Sequence, residues 1–150
     1  MPLKQLTIPR IELVAAAVGV KVVQYVQRQL HLDSTKITAW SDSKCVLYWL
    51  THPKPESLPR FIHNRIKTIR ETGIQFRYVP THDNPADIGS RGCTPSQLQE
   101  NQLWWKGPQW PAQSEETWPT NIPITEDPTT ESSPANSGTE DNAALTITKA

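Results

Sequence analysis

The feature that most constrains this chain is the run Ile74-Gln75-Phe76-Arg77-Tyr78-Val79, which stops at Pro80 and passes into a short polar turn. Its β-branched and aromatic residues read as a strand. The pair Asn84-Pro85 then starts a helix with Asp87 in its first turn. A carboxylate on that helix start is aimed at the carboxyl end of a strand, where open α/β sheets place their chemistry. The run 36–40 repeats the logic: Lys36-Ile37-Thr38-Ala39-Trp40 reads as a buried strand, and Ser41-Asp42-Ser43 caps a helix over 44–50. Two consecutive strands that each deliver an Asp to one edge suggest a shared cation.

Around these strands the pattern is helical. A first helix is expected over 9–30, because Ile11, Val14, Val18, Val22, Val26 and Leu30 recur at three- and four-residue steps. Beside that stripe, Glu12 is followed by Ala16 and Gly19, small residues that let the Glu face lie close to a sheet backbone. A helix over about 58–71 ends at Gly73, the usual post-helix residue. A last helical piece over about 95–103 runs into Trp104-Trp105-Lys106-Gly107-Pro108-Gln109-Trp110. The fold class is therefore α/β, with two strands paired in parallel through right-handed crossovers. Two strands make a poor sheet, and one face of the first helix and one sheet edge would be left without a partner.

Composition divides the chain near Pro111. Fourteen Lys and Arg stand against eight Asp and Glu before it, and one against seven from it onward. The neutral total hides a basic body and an acidic tail. The tail has five prolines, twelve Ser or Thr, one Trp and no run of periodic apolar residues, so it is expected to be disordered. The expected organisation is a folded region over 1–110 and a disordered acidic tail over 111–150.

Several classes are excluded. The longest apolar run, 13–20, is far short of the roughly 20 residues of a membrane span, and no secretory leader opens the sequence. An intracellular protein, cytoplasmic or nuclear, is expected. Cys45 and Cys93 lack metal-binding spacing and read as free thiols of a reducing compartment. No Gly-rich phosphate loop, HExxH or Gly-x-Ser-x-Gly is present.

Five segments carry a resemblance. Leu6 through Ala16, Trp40-Ser41-Asp42-Ser43, Phe61-Ile62-His63-Asn64-Arg65-Ile66, Asn84 through Gly92, and Leu103 through Pro108 resemble, in order, the ribonuclease H-like region of BEL/Pao retrotransposon Pol polyproteins. The resemblance runs from about Lys4 to Trp110. It implies a truncated ribonuclease H-like fold, with the first three strands and their Asp missing from this chain. It also implies that Glu12, Asp42 and Asp87 are metal-site positions for Mg²⁺ or Mn²⁺, and that His82 assists product release or proton transfer. The ancestral reaction would cleave the RNA strand of an RNA–DNA hybrid, one ion activating water and the other stabilising the leaving oxygen. Partners implied are nucleic acid and upstream Pol segments. With one carboxylate absent, the chain alone is expected to be inactive. The alternative is a non-catalytic module that binds nucleic acid or protein.

Each residue also has a plainer reading. On that reading Glu12 sits in a first turn to suit the helix dipole, Asp42 is an N-cap, and Asp87 is a first-turn acid. His82 would then be an exposed turn histidine. His63, Arg65, Lys67 and Arg70 form a basic helix face, for phosphates or simply for water. Trp104, Trp105 and Trp110 would stack on bases or pack the last helix onto the body. BEL/Pao polyproteins also carry an aspartic peptidase, but Asp42-Ser43 is followed by Lys44, so no peptidase loop is present.

Overall fold

The computed structural model describes residues 6–32, 36–121 and 145–149, the last five as backbone only. The order is α1 (Ile8–Gln29), β1 (Ile37–Ser41), α2 (Lys44–Thr51), α3 (Arg60–Arg70), β2 (Gln75–Tyr78), α4 (Pro85–Arg91), α5 (Pro95–Glu100), α6 (Gln102–Lys106) and β3 (Leu145–Lys149). Short 3-10 turns interrupt it at Pro55–Ser57, Thr81–Asp83, Trp110–Ala112 and Glu115–Thr117. Among the described residues, no helix is long and apolar enough to cross a membrane.

The expected parallel pair is present. β1 and β2 run in register from Thr38 opposite Gln75 to Ser41 opposite Tyr78. The connection between them is helical, as parallel strands require. Successive strand residues point to opposite faces, so Ala39 and Phe76 share one face, and Trp40 and Arg77 the other. The first face is covered by the helices. Leu13, Ala16 and Val20 of α1, Val46 and Trp49 of α2, and Ile62, Ile66 and Ile69 of α3 form one buried cluster, against which Ile74 and Phe76 pack. α3 stops where expected, because Gly73 takes a φ of 69°, which only glycine adopts without strain.

One expectation is met and two are corrected. The face of α1 expected to lack a partner is the Ile11 stripe: Ile11, Val18 and Val22 are more than half exposed, and Val26 and Leu30 lie in the open as well. Leu13, Ala16, Val20 and Val23 face the core in their place. Both sets recur at helical spacing, so periodicity alone cannot choose between them. The last helical piece is two helices, because the Asn101 side chain accepts from the backbone N–H of Trp104 and caps α6 afresh.

The second correction concerns the acidic tail. Trp110 and Trp118 close over the Trp40 face of the sheet, at ring-centroid distances of 4.5 Å and 5.2 Å. The N–H of Tyr78, on β2, donates to Asn121 Oδ1 across 3.1 Å. β3 pairs antiparallel with β1, Ile37 opposite Lys149 and Ser41 opposite Leu145, giving the order β2-β1-β3. Among the described residues the sheet therefore has three strands, not two, and the tail supplies one of them. Proline and acidic content argued for disorder, but Trp118 supplies an anchor, and Leu145-Thr146-Ile147-Thr148 alternates with the period of a strand. The expectation for 122–144 falls outside the described residues.

Candidate functional site

The two parallel strands end level, and the chain leaves both at the same edge. The N–H of Val79 donates to the carbonyl of Ser41 across 3.1 Å, extending the ladder one step past β2. Asp42 follows β1 at that edge, and Thr81–Asp83 and α4 follow β2.

Ser43 organises the β1 side. Its hydroxyl accepts from the Val46 N–H at 3.2 Å and so caps α2. The same hydroxyl donates to Glu12 Oε2 at 2.6 Å, and the Ser43 N–H donates to Ser41 Oγ. Glu12 is therefore joined across the helix–sheet interface to the residue beside Asp42. Two plain readings fall here. α1 begins at Ile8 and has no acid in its first turn, so Glu12 lies beyond the reach of a helix-end effect. The cap of α2 is Ser43, not Asp42.

On the β2 side, Asn84 caps α4 by accepting from the Ala86 N–H at 3.2 Å. Asp87 lies in the first turn of α4, 7% exposed. Its Oδ2 is 3.0 Å from Arg91 Nε, one turn on. Its Oδ1 is buried with no hydrogen-bond partner, an arrangement that ordinarily costs about 1–3 kcal/mol. A cleft of about 640 Å³ opens beside it between α4 and α5, lined by His82, Asp87, Arg91 and Cys93 among others. His82 is exposed and 3.7 Å from Asp83, at the rim of that cleft.

The basic face of α3 is largely engaged within the protein. Arg70 forks onto the carbonyls of Leu50 and His52, which end α2. Arg65 lies 3.5 Å from the Phe61 ring centroid and donates to the Phe61 carbonyl. Lys67 is paired with Glu71 at 3.9 Å. Trp110 packs on the body as one reading had it, whereas Trp105 is 64% exposed and donates to the Leu98 carbonyl.

Mg²⁺ needs hard oxygen ligands in a near-octahedral array. Asp87 Oδ1 has the character of such a ligand, but Oδ2 is held by Arg91 and Glu12 Oε2 by Ser43. Among the described residues, no three His, Cys, Asp or Glu side chains stand close enough to hold an ion together. As arranged, the acids do not fit a two-ion centre.

Residues 1–43 match the Pao retrotransposon-like RNaseH-like domain. The resemblance read from the sequence is thereby supported at the end of the chain that carries Glu12 and Asp42. The match stops before α2, and Asp87 and His82 lie outside it. No curated protein and no solved structure matches the chain significantly.

What sequence reasoning missed at this edge is the bond from Ser43 to Glu12, and Arg91. Ser43 stands three residues before Val46 in a capping position, which is a readable signal, but its bond to Glu12 is a tertiary contact. Arg91 stands four residues after Asp87, the spacing of a helical ion pair.

Proposed function

We propose that this chain is a ribonuclease H-like module derived from a Pao-type retrotransposon Pol polyprotein, and that by itself it binds nucleic acid without cleaving it. The observation that carries the reading is the bond from Ser43 to Glu12, which ties the helix acid to the end of the strand that presents Asp42. The family match spans both residues, and Asp87 lies on α4, the helix that follows the neighbouring parallel strand.

The ancestral activity would be hydrolysis of the RNA strand in an RNA–DNA hybrid, with Mg²⁺ or Mn²⁺ at Glu12, Asp42 and Asp87 and His82 at the rim. The engaged oxygens of Glu12 and Asp87 argue against that chemistry in the chain as it stands. Its three acids number one fewer than the resemblance implies, and upstream Pol segments are the natural source of a fourth. Exposed cations such as Lys44, Arg60 and Lys106 would instead meet phosphates, so binding would be weak and would fall steeply with salt.

The test is a labelled RNA–DNA hybrid incubated with the purified chain and either ion, beside an Asp42→Asn variant. We expect no cleavage, together with retention of the hybrid at low salt that is lost at high salt. Cleavage that disappears in Asp42→Asn would make the chain an enzyme. Absence of retention at every salt would remove nucleic acid from the proposal.

A further inference from the structure

The open side of α1 is the largest feature that the edge acids leave unexplained. Ile8, Ile11, Val18, Val22, Tyr25, Val26 and Leu30 are all exposed, between 42% and 62%. At 100° per residue they share one side of the helix with Ala15 and Gly19. The charged residues Arg10, Lys21 and Arg28 lie off one margin, and Glu12 lies on the other, in line with Leu30. Leu13, Ala16, Val20 and Val23 occupy the opposite, buried side. A helix apolar on both sides is one that is covered on both sides.

The stripe runs the length of a 22-residue helix, roughly 33 Å at the α-helical rise. Seven large side chains about half exposed present roughly 600 Å² of apolar surface, at the top of the range for the largest patch on a monomer. That is most of the approximately 800 Å² each partner contributes to a standard stable interface.

One edge of the parallel strand pair already has a strand on it. β3 holds the free edge of β1, and Asn121 takes the Tyr78 N–H of β2. The open side of α1 is a helix face without charge along its centre. Such a face is complementary to itself when two helices pack about a two-fold axis.

We infer that α1 is the interface of a homodimer, in which the Ile11–Val18–Val22 face of one copy packs on the same face of a second. This inference is independent of the proposed nucleic-acid function, because it uses neither the edge acids nor the exposed cations cited there. The same residue appears twice in such an interface, so a single introduced charge acts twice.

The test is sedimentation velocity of the full chain from about 1 to 100 μM, with Val22→Glu and Val18→Lys beside it. We expect a concentration-dependent dimer, and each variant should weaken association roughly tenfold or more, since like charges would face one another across the axis. Val22 and Val18 are exposed in one copy, so circular dichroism and tryptophan emission at low concentration should match the parent. A monomer at every concentration overturns the inference. So does a dimer that both folded variants retain, which would place the interface elsewhere. A monomer that binds an apolar dye, with binding lost in Val22→Glu, also overturns it by assigning the face to a different protein partner.

Discussion

The ring of Trp118 meets that of Trp40 edge to face, with centroids 5.2 Å apart and planes at 71°. Trp40 is completely buried, and its register partner Arg77 is stacked against both rings, 5.4 Å from Trp40 and 4.9 Å from Trp118. Glu115 pairs with Arg77 at 3.6 Å, so the segment carrying Trp118 supplies both an apolar and an ionic contact to the sheet.

Replacing Trp118 by Ala is expected to destabilise the fold by about 1–3 kcal/mol, below the cost of a fully buried Trp because this ring is partly exposed. Urea unfolding followed by circular dichroism measures it. An unchanged midpoint would mean that the segment does not hold to the body in solution.

Ser43 performs two tasks with one hydroxyl. Ser43→Ala removes both the cap of α2 and the bond to Glu12, at a combined cost of about 1–3 kcal/mol. Ser43→Thr keeps a hydroxyl and should lose less than half of that. If Glu12→Gln and Ser43→Ala prove strictly additive in a double-mutant cycle, the two side chains are not coupled and the bond is not formed.

A methyl group at Gly89 would stand 3.2 Å from Cζ3 of Trp104. Gly89→Ala gains up to about 1 kcal/mol of helix propensity, while overpacking costs about 1–3 kcal/mol. The second effect should win narrowly, because Asn101 holds Trp104 at the backbone. We expect a net loss of about 1 kcal/mol and greater quenching of Trp104 by iodide. A net gain in stability would show that α6 moves away freely.

Removing residues 145–149 bares one edge of β1. Amide exchange across Ile37–Ser41 should accelerate at least about tenfold, and the shortened chain should associate through that edge at high concentration. Exchange equal to that of the full chain would show that β3 does not occupy the edge in solution.

Much of the framework was legible because it is local. The strand at Ile74, the proline stop, the Asn84 cap and the Gly73 turn are written within a few residues of where they act, and the parallel pairing follows from the helices between strands. The edge acids were legible as candidates for the same reason. Their state was not: whether Asp87 faces a cation or Arg91, and whether Glu12 meets Ser43, are settled by contacts between elements. The side of α1 that is buried was illegible because both sides are apolar, and α2 and α3 made the choice. The tail misled because composition averages over its whole length, while Glu115, Trp118, Asn121 and one five-residue strand do the attaching.

The attachment of Trp118 and Asn121 alters how readily β3 finds its place. Along the chain, Ser41 and its partner Leu145 are about a hundred positions apart, but Leu145 is only about two dozen positions from Asn121. Closing the shorter loop is easier by about 1 kcal/mol, close to a tenfold rise in the strand's effective concentration at the edge of β1. The hydrogen bond from Tyr78 to Asn121 thus acts as a tether that keeps the β3 strand near β1 whenever the two come apart.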